Sequence, residues 1–167
     1  IELLLDRPGG GACFSVTLPR AAGVAAEAAA AAPSTPGPKP LLGRRVLVAE
    51  DEPLVLDLFS RLLEADGATV TLARDGEEAW SRILETDFDL IVADLRMPNL
   101  DGRALYERVV EEKPSMVRRF VFATGDLVRQ ESLKFLEGLP NRILAKPLDV
   151  DNVRRVLVAA VASCRAV

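Results

Sequence analysis

The amino-acid sequence predicts an α/β domain, a five-stranded parallel sheet doubly wound with helices on both faces. Three observations carry this expectation. From residue 44 onward, short runs rich in valine and leucine alternate with stretches whose apolar residues recur at helical spacing. The central runs "LIVA" and "FVFA" are apolar at every position, as strands buried on both faces must be. Aspartate, proline and glycine stand where helices should start and stop. Right-handed crossovers then make one domain of about 120 residues.

The elements follow in order. "RRVLVA" (44–49) reads as the first strand of the domain. Pro53 suits the first turn of a helix, and Leu54, Val55, Leu58, Phe59, Leu62 and Leu63 give that helix an apolar side closed by Gly67. "ATVTLA" (68–73) is the second strand. Asp75 can cap a second helix bearing Ala79, Trp80, Ile83 and Leu84. "DLIVA" is the third strand, and its helix should run over about 101–112. "FVFAT" (120–124) is the fourth, with a helix near 128–136. "RILAK" (142–146) is the fifth. Asp149 can cap a last helix that turns Val153, Val156, Leu157, Ala160 and Val161 inward.

Composition bounds the function. The 167 residues are 49% hydrophobic and 28% charged, with a net charge of -4 and a pI near 5.0. That balance suits a globular domain and speaks against a nucleic-acid surface or an anionic membrane, which need a basic patch. No apolar run approaches the roughly 20 residues of a membrane span. Cys13 and Cys164 form neither a disulfide framework nor a metal-ligand spacing, so an intracellular, reduced setting is expected. The sequence contains no histidine, which excludes Ser-His-Asp and Cys-His catalysis, His-ligated zinc and an internal phosphohistidine. It begins at Ile1 with no signal-peptide pattern and reads as a piece of a longer protein.

Residues 1–43 differ in kind. Residues 1–18 read as two short strands, 1–5 and 13–18, joined by "DRPGGG". The glycines suggest a phosphate loop, but no Gly-Lys-Ser/Thr follows, and a hairpin turn explains them better. Residues 19–43 are of low complexity. Nine of the twelve residues at 21–32 are alanine, and Pro33, Pro36, Pro38 and Pro40 follow. They read as a linker.

In a doubly wound sheet, ligands bind at the carboxyl ends of the strands, near the point where strand order reverses. Here those ends are Glu50-Asp51-Glu52, Asp94, Thr124 and Lys146. Any one could be a cap or a loop residue. Four strand ends agreeing point instead to phosphoryl chemistry. Clustered carboxylates recruit a hard dication, most simply Mg²⁺. A lysine and a hydroxyl opposite it would hold phosphoryl oxygens. A central carboxylate could then act as a nucleophile.

On these residues the chain resembles the receiver domain of two-component response regulators and hybrid sensor kinases. The resemblance spans about 44–164 and rests on "VLVAEDEP", "LIVADLRMPNLDG", "VFATGD" and "ILAKPL". It implies a flavodoxin-like receiver fold at 44–167. It further implies that Asp94 is the phospho-acceptor and that Glu50, Asp51, Asp94 and the backbone carbonyl of Arg96 hold Mg²⁺ (or Mn²⁺), Asp51 directly. Thr124 would bond the phosphoryl group and Lys146 would pair with it. Lys146-Pro147 resembles the family's Lys-Pro step, for which a cis peptide is expected. Ile143 takes a switch position that is often aromatic, and Arg96 a position that tunes phosphoryl lifetime. "FSVTLP" (14–19) resembles the final strand of a histidine-kinase ATPase domain, which implies a hybrid sensor histidine kinase with its donor histidine upstream.

The partners so implied are a phosphohistidine donor on a kinase dimerisation domain and a histidine phosphotransfer protein, with pairing of two copies left open. A cytoplasmic location is expected, with membrane association of the parent kinase left open. The fragment would accept a phosphoryl group and lose it by self-hydrolysis. The alternative is a receiver-like interaction module that is never phosphorylated, although the complete acidic set argues against it. A flavin-binding domain would place a Ser/Thr/Gly-rich loop where "EDE" stands. A phosphatase with an aspartyl nucleophile would want an acid at Arg96.

Overall fold

A computed structural model of the chain describes residues 2–4, 13–15, 39–125, 129–139 and 141–164. It divides the chain into two units, 1–37 and 38–167. In the first, β1 (Glu2–Leu4) and β2 (Cys13–Ser15) pair antiparallel with Leu3 opposite Phe14. The "DRPGGG" turn and the Ala/Pro-rich stretch up to residue 38 lie outside the described residues.

In the second unit, strand and helix alternate as expected: β3 (Arg45–Ala49), α1 (Pro53–Ala65), β4 (Thr69–Ala73), α2 (Gly76–Glu85), β5 (Leu90–Asp94), α3 (Gly102–Glu112), β6 (Phe120–Thr124), α4 (Gln130–Glu137), β7 (Arg142–Ala145) and α5 (Val150–Ser163). The sheet order is β4-β3-β5-β6-β7, and every neighbouring pair is parallel. The chain moves outward from β3 to β4 and then crosses back to β5. The reversal of strand order therefore falls between β3 and β5.

Alternate residues of each strand feed two cores, because successive side chains leave opposite faces of a sheet. Val46, Val48, Leu90, Val92, Val121, Ala123 and Leu144 pack against Leu56 and Phe59 of α1 and Val153 and Leu157 of α5. Leu47, Ile91, Phe120 and Phe122 face Trp80 and Ile83 of α2, Leu105, Tyr106 and Val109 of α3, and Leu136 of α4. Tyr106 meets Phe120, Phe122 and Phe135 edge-on, with ring centroids 5.3, 5.5 and 5.8 Å away. That geometry suits the aromatic quadrupole. All five residues of β5 and all five of β6 are buried, which is the central-strand pattern that "LIVA" and "FVFA" announced.

The helix starts agree with the sequence. Asp75, Asp101 and Asp149 each accept a backbone N–H three residues on, all at 2.8 Å. Three expectations need correction. Leu54 and Leu84 were assigned to apolar helix faces but are 78% and 52% exposed. The buried stripe of α1 is Leu56, Phe59, Leu62 and Leu63. At 100° per residue, Leu54 lies far around the helix from Leu56. Residues Pro114–Arg119, unassigned from the sequence, form a 3-10 turn that buries Met116. The fourth helix begins at Gln130, two residues later than expected.

Two glycines fix how α2 and α3 approach the loop after β5. A Cβ on Gly76 would overlap the carbonyl of Leu100, and one on Gly102 the carbonyl of Asp94. Gly102 opens α3, where alanine is the better helix former. Gly102→Ala should nonetheless lower the unfolding free energy by about 2 kcal/mol through overpacking. Urea denaturation of the variant checks this, and an unchanged or raised midpoint would contradict the overlap.

Candidate functional site

Strand register assembles the site. Ala49 pairs with Ala93, Asp94 with Ala123, and Thr124 with Ala145. The residues that end β3, β5, β6 and β7 or follow them directly are Glu50, Asp94, Thr124 and Lys146. They therefore stand side by side along one edge of the sheet, on both sides of the reversal point. Backbone bonds lock the edge: Glu50 N–H donates to the Ala73 carbonyl at 3.0 Å, and Lys146 N–H to the Thr124 carbonyl at 2.9 Å. The Lys146-Pro147 peptide is cis, as expected.

Burial then sets the electrostatics. Glu50 is 1% exposed, Asp94 7% and Thr124 0%. Lys146 Nζ donates to Glu50 Oε2 and Asp94 Oδ2, both at 2.7 Å, and to Glu50 Oε1 at 3.0 Å. The other oxygen of Asp94, Oδ1, accepts the Arg96 backbone N–H at 3.1 Å. Glu50 Oε1 also receives the Glu52 N–H at 3.4 Å. Burial pushes the Glu50 carboxyl above its ordinary range; the Lys146 hydrogen bond only partly offsets this, and the Asp94 charge adds to it. Burial pushes the Lys146 ammonium down, but hydrogen bonds to Asp94 and Glu50, with their charges, hold it above the ordinary 10.5.

Asp51, exposed beside this pair, completes an acidic group. Glu50, Asp51 and Asp94 each offer an oxygen within 4.8 Å of the others. Hard oxygen donors at this spacing fit Mg²⁺, which takes one or two carboxylates and keeps several waters. An open cleft lined by Asp94, Arg96, Thr124, Gly125, Arg129 and Lys146 lies over Asp94.

Five of the seven residues singled out from the sequence sit at this edge: Glu50, Asp51, Asp94, Thr124 and Lys146. The Arg96 side chain is exposed, while its backbone N–H is tied to Asp94. Ile143 lies apart. It pairs with Phe122 in the middle of the β6–β7 ladder and is 38% exposed. Arg129, on the cleft rim, was not anticipated, because nothing in its local sequence marks it. Asp75 was read only as a cap and Asn99 not at all. In the folded chain their side chains bond to each other at 2.6 Å.

Removing Lys146 would leave two carboxylates facing each other out of water. Lys146→Met should therefore lower stability by about 3 kcal/mol at neutral pH, the scale for breaking a buried pair. A lysine pKa raised by folding contributes fully below 10.5 and loses that contribution as pH rises through the folded value. The gap between parent and variant should thus close above pH 10.5, as read by urea melts across the alkaline range.

Comparison with known proteins agrees with this geometry. The family model "Response regulator receiver domain" matches residues 46–158. The chain is 33% identical over 122 residues to transcription factor SKN7 of Saccharomyces cerevisiae, covering 70% of this chain and 18% of that protein. It is 26% identical over 112 residues to sensor histidine kinase RcsC of Escherichia coli, covering 67% and 12%. The chain thus spans under a fifth of either relative. Among solved structures, the receiver domain of sensor histidine kinase PA1611 from Pseudomonas aeruginosa superposes with a TM-score of 0.65 at 26% identity, over 72% of this chain and 98% of that one. That structure has a magnesium ion coordinated in its active-site cleft.

Proposed function

The chain belongs to the response regulator receiver domain family of two-component signalling, and from that premise we propose that Asp94 is its phospho-acceptor. The observation that carries the proposal is the position of the Asp94 carboxylate. It is 93% buried at a strand end, beneath an open cleft, with one oxygen on the Lys146 ammonium and the other on the Arg96 N–H. A buried charge of this kind is retained when it is paired or reactive, and Asp94 is in a position to be both.

In the proposed reaction an Asp94 oxygen attacks the phosphorus of a phosphohistidine on a kinase. The O–P bond forms, the P–N bond breaks, and the departing imidazole keeps the electron pair and takes up a proton. Lys146, already within 2.7 Å of Asp94 Oδ2, would follow the new charge onto a phosphoryl oxygen. The Thr124 hydroxyl would meet another. Phosphorylation adds close to two negative charges. Their capture by Thr124 at the end of β6 and Lys146 after β7 would bias the face of the sheet that holds Ile143.

Glu50, Asp51, Asp94 and the Arg96 backbone carbonyl are the groups proposed to hold Mg²⁺ (or Mn²⁺), with Asp51 directly bonded. Once bound, the ion would neutralise charge on the transferring group. Arg96 and Arg129, on the cleft rim, are proposed to influence how readily water reaches the acyl phosphate.

The fuller organisation is also a proposal: a terminal hairpin at 1–18 from a histidine-kinase ATPase domain, a linker at 19–43 and the receiver at 44–167. Receivers within sensor histidine kinases are among the similar proteins, and "FSVTLP" supports the same origin. The partners would then be the kinase's phosphohistidine and a histidine phosphotransfer protein.

A small phosphodonor with Mg²⁺ should add one phosphate to the chain, seen by intact mass. Asp94→Asn should abolish the addition, and Asp51→Asn should raise the Mg²⁺ concentration needed for it by at least about tenfold. An unlabelled parent, or full labelling of Asp94→Asn, would rule the assignment out.

A further inference from the structure

The carboxylate of Asp75 has two separate tasks. Its Oδ1 accepts the Glu78 N–H at 2.8 Å and caps α2. Its Oδ2 accepts Asn99 Nδ2 at 2.6 Å, from a residue 24 positions away in the loop after β5. The neighbouring Gly76 N–H donates to the Leu100 carbonyl at 3.0 Å, against which Gly76 has no space for a Cβ. Asn99 itself holds φ of 62°, a left-handed conformation that asparagine tolerates better than most residues.

The loop 95–101 is anchored in two different ways. Leu95, Met97 and Leu100 are buried, while Arg96, Pro98 and Asn99 are exposed. On its outer side, the side-chain bond to Asp75 is what ties residue 99 to the domain. The Glu78 amide and then the Asn99 amide hold the Asp75 carboxyl below its usual range.

We propose that the Asp75–Asn99 hydrogen bond is a positioning device: it fastens the 95–101 loop to the start of α2 and thereby holds the Arg96 backbone where a divalent cation on Asp51 and Asp94 takes its carbonyl ligand. Asp75 and Asn99 touch neither ion nor phosphoryl group; they act through the backbone between Asp94 and Asn99. The inference rests on the metal-assisted phospho-acceptor reading above.

Two substitutions in the full 167-residue chain separate the tasks. Asp75→Ser keeps one oxygen for the cap and removes the second, since serine caps about as well as aspartate. Asn99→Gly keeps the positive φ and removes the amide. Mg²⁺ affinity is measured by amide NMR titration, well below the melting temperature. Each single substitution should raise the Mg²⁺ Kd by about tenfold, the lower end for groups that orient a metal's ligands. The double variant should be no weaker than either single one, because both remove the same bond. A purely structural bond would move the urea midpoint and leave the Kd in place. Single variants within about twofold of the parent Kd, or additive losses in the double variant, would overturn the proposal while the receiver reading stands. A parent whose Mg²⁺ binding is absent, or indifferent to Asp51→Asn, would overturn both.

Discussion

One contact governs the site: the Lys146 ammonium held between Glu50 and Asp94. Two carboxylates so nearly removed from water repel each other, and the cation between them offsets that repulsion. Lys146 is therefore the counterion that allows an acidic pocket to exist. It is also a charge on a flexible stem, able to change partners as charge appears nearby. The same residue thus stabilises the resting arrangement, and in the proposed reaction it would respond to the modified one.

That contact exists because the sheet is parallel throughout. Lys146 and Glu50 are 96 positions apart in the chain, yet strand register brings them to one edge. In an antiparallel sheet, alternate strand ends would point the other way and scatter these groups. The two apolar cores on either face, one under α1 and α5 and the other under α2, α3 and α4, hold the register. A one-residue slip of any central strand would exchange its two faces and misplace the strand-end residue with them.

The sequence made most of this legible. Glu50, Asp94, Thr124 and Lys146 each follow an uninterrupted apolar run, so strand pattern and site were read in one step. The caps Asp75 and Asp149 were equally clear, since each acts on an amide only three residues away, while Asp101 was read only as the start of its helix. Features that depend on tertiary closure were not visible. Leu54 and Leu84 fit a helical apolar pattern, but which hydrophobic residues a helix buries is decided by the sheet beneath it. The turn at Pro114–Arg119 has no periodicity to announce it. The Asn99–Asp75 bond joins two loops that meet only once β3, β4 and β5 have paired. Ile143 was read from a resemblance alone, and the fold sets it on the ladder, away from the acids.

Gly76 and Gly102 have one further consequence. Each follows an aspartate cap, each opens a helix, and each lies against a carbonyl at one end of the stretch that leads from Asp94 to α3. That segment is therefore gauged at both ends by bare backbone. Its residue count cannot change, because one residue more or fewer would part both contacts together. Near Asp94 the chain thus behaves like a machined spacer, and its length is the specification.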